Sequence, residues 1–161
     1  MKAGIKIAGA GAVIAQLRYA AKAVPDNGRK VMSRSAEKIV KLAQLLVPED
    51  TTALRDSIRI ERSYGTNNRL SINVVAGNKI ITLENGKTID LNTYALIVHE
   101  NYGQMKPGAR TQEKQAANPG LQIGEGFLTR AAEMQVPQAT KDMEQSILKL
   151  INVIFQGETD R

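Results

Sequence analysis

His99 is the only histidine in the 161-residue sequence, and Glu100 beside it makes the only neighbouring His–carboxylate pair. Such a pair could shuttle a proton. A nucleophilic triad would also need a serine held on His99, and no serine is singled out by its surroundings. A lone histidine near the end of the apolar run YALIVHEN is more often structural or interfacial than catalytic. Asp50, Asp56, Glu84, Asp90 and Glu100 are scattered, not spaced as metal ligands. The chain has no cysteine, which excludes a disulfide scaffold, a thiol nucleophile and any cysteine-ligated zinc or iron–sulfur site. A phosphate loop, a dinucleotide fingerprint and a nucleophile elbow are all missing, and GAGA at 9–12 has the wrong spacing for a nucleotide. These residues point away from an enzyme and imply no cofactor and no metal site.

The other chemistry on offer is charge. Lys30, Arg34, Lys38 and Lys41 recur at helical spacing and make one basic stripe. The sequence holds 22 Lys and Arg against 16 Asp and Glu, a formal charge of +6. Residues 1–62 carry 12 of the basic and 6 of the acidic side chains, so the whole excess lies there. That asymmetry suits a polyanion or an acidic protein surface, or it is simply a solvated helix face. Sequence-tolerant binding of single strands normally adds aromatic stacking platforms. Two Phe, four Tyr and no Trp are present, and none interleaves with the stripe. Duplex contact through phosphates alone needs no aromatics. A small basic nucleic-acid-binding protein is therefore the alternative reading.

The elements that must position these groups follow from periodicity. Residues 2–8 suit a short strand with Ile5 and Ile7 on one face. Ile14, Leu17, Ala21 and Val24 predict a first helix over 12–24. Pro25-Asp26-Asn27-Gly28 reads as a turn. Met32, Ala36, Ile39, Ala43 and Leu46 predict a second helix over 29–47, ended by Pro48. Asp50 or Thr51 can cap a short helical turn over 50–57. From Ser57 the period changes to two: Ile58 and Ile60, then Leu70, Ile72 and Val74, predict strands joined at Gly65–Asn68. Asn85-Gly86 predicts a type I′ hairpin with arms 79–84 and 87–91.

Residues 102–126 hold five glycines and two prolines and read as a mobile loop. Phe127 opens a helix that Val136-Pro137 interrupts or restarts. A final helix over 137–156 carries Ala139, Met143, Ile147, Leu150 and Ile154 on one stripe, and the tail 157–161 frays. The fold class is α+β in one domain over 1–161. A small antiparallel sheet of about four strands is flanked by an N-terminal helical pair and a long C-terminal helix. The expected core is Ile39, Leu46, Ile58, Ile60, Ile72, Val74, Phe127, Leu128, Ile147, Leu150 and Ile154. No run reaches the ~18–20 apolar residues of a membrane span. The apolar start broken by Lys6 reads as mature protein rather than a signal peptide.

Three segments in series carry a resemblance. Pro48-Glu49-Asp50-Thr51-Thr52-Ala53-Leu54-Arg55-Asp56-Ser57-Ile58 resembles the P-x-x-T-G-x-L-R-x-S-I junction of a phage tail-component family, with Thr52 where that family usually has glycine. Tyr94-Ala95-Leu96-Ile97-Val98-His99-Glu100 resembles its Y-A-x-x-V-E/H-x-G segment. Gly126-Phe127-Leu128-Thr129-Arg130-Ala131 resembles its K-F-L-x-x-A opening of the closing helix. The family is that of head–tail joining or tail completion proteins of long-tailed bacteriophages, small neck or minor tail components.

The resemblance implies a structural virion protein of the neck or upper tail, made in the host cytoplasm, with no membrane role. It implies a cyclic ring of the chain's own copies, often a hexamer, that joins the DNA-filled capsid connector to the tail. Its neighbours would be neck or connector proteins and tail terminator or tube proteins. The basic stripe would face genomic DNA in the lumen or an acidic partner. Met105, Lys106, Arg110, Leu121 and Ile123 in the loop would meet a neighbouring subunit.

Overall fold

The computed structural model describes residues 10–49 and 52–156. The expected strand at 2–8, the caps Asp50 and Thr51, and the tail 157–161 lie outside the described residues. The elements are α1 (Ala10–Leu46), α2 (Thr52–Ser57), β1 (Arg59–Tyr64), β2 (Leu70–Val75), β3 (Ile80–Thr82), β4 (Thr88–Asp90), α3 (Leu91–Asn101), α4 (Ala109–Ala117) and α5 (Phe127–Gln156). The fold is α+β. Contacts gather the chain into two compact units, residues 1–32 with 138–161, and residues 33–137.

In the first unit the expected turn at Pro25–Gly28 is helical, so the predicted helical pair is the single helix α1. The physical reason lies in what those residues touch. The Asn27 side-chain amide donates to the Ser146 carbonyl at 3.0 Å and to its hydroxyl at 2.8 Å. A Cβ on Gly28 would lie in ordinary contact with the Met143 sulfur, at 3.6 Å, so this turn of α1 faces α5. Asp26 pairs with Arg29 at 2.6 Å, one turn on. Residues that punctuate a chain in isolation here serve helix packing, and tertiary contact overrides their local preference. The order of contacts makes the two helical segments antiparallel. Val31 and Ile154 are buried, and Ile147 and Leu150 are half-buried. Pro137 likewise lies inside α5, which does not restart there.

In the second unit one apolar cluster is assembled from every helix of the sequence motifs. Leu46, Val47, Leu54, Val98 and Phe127 are almost wholly buried in it. Ile39, Val74 and Leu128 pack against it, while Ile60 and Ile72 are half-buried on the strands. The α1 stripe is shifted from its expected line: Val31, Ser35 and Ala36 are buried, and Met32 is 37% exposed.

The expected four-stranded sheet is two separate antiparallel ladders, β1–β2 and β3–β4. In the first, Ile60 opposes Val74 and Tyr64 opposes Leu70. The ladders do not join because the backbone between them is bonded elsewhere. Gly77 (φ +89°) and Asn78 (φ +63°) turn away from extended geometry. The Gly77 amide donates to the Ser57 hydroxyl at 2.9 Å, and the Asn78 amide to the Asn92 side-chain oxygen at 2.7 Å. The β3–β4 turn is also not type I′: Gly86 has φ +78° while Asn85 stays off positive φ. The Gly86 amide donates to the Leu83 carbonyl at 2.8 Å, and Gly86 then serves as a single left-handed residue.

Asp90 caps α3. Its carboxylate accepts from the Asn92 amide at 3.0 Å and from the Thr93 hydroxyl at 2.8 Å. The Thr93 hydroxyl, then the Asn92 amide, hold the Asp90 carboxyl below its ordinary value of 3.8. A carboxyl lowered in the fold contributes stability that is present above pH 3.8 and lost as pH falls through the folded value. Asp90→Ala is therefore expected to lower the urea midpoint at neutral pH, with the gap to wild type closing in acid. A gap constant from pH 7 to pH 2 would contradict this.

Candidate functional site

The three sequence motifs meet in the second unit. Pro48, Leu54 and Ile58 from the first, Ala95 and Val98 from the second, and Phe127 and Ala131 from the third are all buried. Ser57 of the first motif is bonded to the chain's own backbone. The Ser57 hydroxyl donates to the Leu54 carbonyl at 2.7 Å and accepts from Gly77. Arg59 donates to the Gly77 carbonyl at 2.9 Å. Ser57 thus ties the end of α2 to the turn leaving β2. Ser57→Ala leaves the Gly77 amide without that acceptor and is expected to cost about 1–3 kcal/mol; thermal unfolding of Ser57→Ala against Ser57→Thr measures it.

Arg55 projects from α2 to Glu49, with its Nη1 at 2.5 Å from the carboxylate, and to Asp56 at 3.0 Å. The hydrogen bond with Asp56 raises the Arg55 guanidinium further above its usual range. A hydrogen bond from Thr52, then one from Arg55, lower the Asp56 carboxyl. Glu49 also meets Lys114 at 3.2 Å. The Lys114 ammonium donates to the Gln44 and Val47 carbonyls at 2.9 and 2.8 Å, at the end of α1. Burial lowers its pKa. No sequence spacing ties residue 114 to residues 44–55, and the only signal was a lysine in a segment otherwise read as loop.

His99 is half-buried. Its ring meets Phe127 edge-on at 5.4 Å, and Nε2 lies 3.3 Å from the Thr129 hydroxyl. Its carbonyl accepts from the Gly126 amide at 2.7 Å. Tyr94 packs against the core and Glu100 is exposed. Thr51 lies outside the described residues. Among the described residues no three His, Cys, Asp or Glu gather as a metal site.

Residues 102–126 are the main correction. They contain α4, and the backbone that follows it is held by side-chain amides. Gln115 donates to the Leu121 carbonyl at 2.6 Å and accepts from the Ile123 amide at 3.0 Å. Asn118 donates to the Lys114 carbonyl at 2.9 Å. Gly124 donates to the Leu46 carbonyl at 2.9 Å. Met105 and Leu121 pack on the core and Ile123 is 7% exposed, so these three turn inward; only Lys106 and Arg110 of the expected contact residues are exposed. Arg130, missed in the sequence, donates through Nη1 to the Gln122 carbonyl, and burial lowers its pKa. Lys30, Arg34, Lys38 and Lys41 are all exposed along α1.

Motifs whose apolar side chains meet in one core define a structural module. The family described as "Bacteriophage HK97-gp10, putative tail-component" matches residues 11–99. That is more than half of the chain, and the chain belongs to this HK97-gp10-like family of phage tail components. Among curated proteins and solved structures, nothing matches. The match ends at His99, and the third motif lies beyond it, yet Phe127 completes the same core.

Proposed function

We propose that this chain is a structural virion protein of the phage neck or upper tail, whose copies form a ring joining the DNA-filled capsid connector to the tail. The family match over residues 11–99 carries the reading. Two features of the molecule support assembly rather than chemistry. Each two-stranded ladder has unpaired edges on both sides, which a neighbouring chain can extend. Leu96, Ile97 and Ile80 are 57%, 43% and 68% exposed, apolar surface with work to do at a contact. Contacts of unlike surfaces that close on themselves give a ring. The neighbours are connector proteins on one side and terminator or tube proteins on the other. Electron microscopy of the protein mixed with filled capsids, and separately with finished tails, tests this. A ring of added density at the capsid vertex or the upper tail end is expected; bare ends on both, with tails joining capsids in its absence, would overturn it.

The exposure of Lys30, Arg34, Lys38 and Lys41 favours a second reading, direct binding of DNA by a small basic protein. Neutralising four phosphates predicts a slope of log affinity on log salt of roughly −3 to −4. Duplex titration across salt decides it: no binding at low salt ends this reading and leaves the ring untouched.

A further inference from the structure

The β1–β2 hairpin meets the core at one end only: Val74 packs against the apolar cluster, while residues 61–69, Ser71 and Asn73 are exposed. The turn sets the phase of its hydrogen bonds. The Gly65 amide donates to the Arg69 carbonyl at 2.9 Å, one step beyond the Tyr64–Leu70 pair. Bonded and unbonded pairs alternate along an antiparallel ladder. Ser63–Ser71 and Glu61–Asn73 are therefore bonded pairs, while Arg62–Ile72 and Ile60–Val74 turn their backbone groups outward. On β2 the outward groups belong to Leu70, Ile72 and Val74. Among the described residues no backbone outside the hairpin takes them up. The two edges differ in charge. β1 carries Arg59, Glu61 and Arg62, and charged side chains protect an edge from pairing. β2, Leu70-Ser71-Ile72-Asn73-Val74-Val75, carries no charge and no proline. An edge of that composition recruits another strand.

We propose that the β2 edge pairs antiparallel with the β2 edge of a second copy of this chain, about a two-fold axis at Ile72. The strand is its own complement. With Ile72 opposite Ile72, Leu70 meets Val74 and Ser71 meets Asn73, so apolar side chains lie against apolar ones and polar against polar. This register joins the outward groups of Leu70, Ile72 and Val74 on both strands through about six hydrogen bonds. A slip of one residue would set them against groups already bonded within the hairpin. A β1 edge as the partner would put Arg62 among the apolar side chains instead. The core lies at the Val74 end of each hairpin, so the antiparallel sense places the two cores at opposite ends of a four-stranded sheet. So short a ladder is smaller than a standard interface, and the contact is weak and reversible. A two-fold contact closes on two copies. It therefore belongs to the free chain and adds no member to a ring; it covers an edge that otherwise templates aggregation.

The sequence has no cysteine, so introduced thiols report the register without background. Ser71 and Asn73 are exposed, and across the axis they form an unbonded pair, the closer kind that a disulfide can span. The test mixes full-length Ser71→Cys and Asn73→Cys proteins at high concentration with glutathione disulfide as oxidant. The mixed disulfide is expected about 10-fold faster than either variant alone gives a dimer, because like positions stand about 8 Å apart, beyond disulfide reach. Light scattering across a concentration series, with circular dichroism to check folding, is the second measurement. Ser71→Lys/Asn73→Lys sets lysine opposite lysine across the axis. Ser71→Glu/Asn73→Lys sets glutamate opposite lysine at the same positions and is expected to self-associate about 10-fold more tightly. Equal disulfide rates for the mixture and the single variants overturn the pairing, as does equal association of the two charge variants. A disulfide between Asn73→Cys and Glu61→Cys chains that forms as fast as the one with Ser71→Cys gives the edge to β1 of another copy and also overturns it. Both measurements use the free chain, so their failure leaves the ring reading untouched. A chain that pairs in this register yet adds no ring to capsids or tails upholds the pairing and sinks the ring.

Discussion

Gly124→Ala is expected to be the most damaging single-atom-scale change in the second unit. Gly124 is buried with φ +122°, a conformation open to glycine and strained for any L side chain. Its added Cβ would stand 2.1 Å from Cδ1 of the Tyr102 ring. Neither party can retreat. Tyr102 is 8% exposed and belongs to the apolar cluster, and the Gly124 amide is bonded to the Leu46 carbonyl at the end of α1. Backbone strain of about 1–3 kcal/mol and overpacking of a similar size together give about 2–6 kcal/mol. That is a large part of the ~5–15 kcal/mol that holds a domain folded. Gly120→Ala is the control, since a Cβ there meets nothing within 4 Å, and it should stay within about 0.5 kcal/mol of wild type. Urea midpoints of the two variants decide the matter; equal midpoints would refute the steric account.

What was legible in the sequence is what local pattern controls. The α1 stripe through Ala36, Ala43 and Leu46, the α5 stripe through Met143 and Ile154, and the β1–β2 alternation each repeat with the period of their element. What was not legible depends on partners far along the chain. Pro25–Gly28 has turn composition, but Asn27 finds Ser146 more than a hundred residues away. Residues 102–126 have loop composition, but Gln115 and Asn118 replace the missing backbone partners with side-chain amides. The four-stranded sheet failed at Gly77-Asn78, where Ser57 and Asn92 side chains take the amides a neighbouring strand would have used. At the site, the three motifs supply Leu54, Ala95 and Phe127, which share one core. They could not name Lys114, because an ion bridging two turns of distant backbone leaves no periodic trace.

That lysine carries the second large effect. α1 ends with no basic residue in its own last turn, so the negative end of its dipole and its last carbonyls need a cation from elsewhere. Lys114 supplies it to Gln44 and Val47 while holding Glu49, with its side chain 13% exposed. Lys114→Met keeps the stem and removes the charge, leaving two acceptors and part of a carboxylate uncompensated. The expected loss is about 2–4 kcal/mol, larger than for Lys106→Met at an exposed position. Alkaline pH separates this from lost packing. Burial lowers the folded-state pKa of Lys114 from its ordinary 10.5, so between the folded value and 10.5 the unfolded chain binds more protons. The penalty for burying the ammonium is full below the folded value and is relieved as pH rises. The stability gap between wild type and Lys114→Met should therefore widen on the alkaline side, where a purely steric defect would keep it constant. Urea midpoints of both proteins from pH 7 to pH 10 measure that gap, and a Lys114→Met protein as stable as wild type at pH 7 would show that the end of α1 needs no cation from α4.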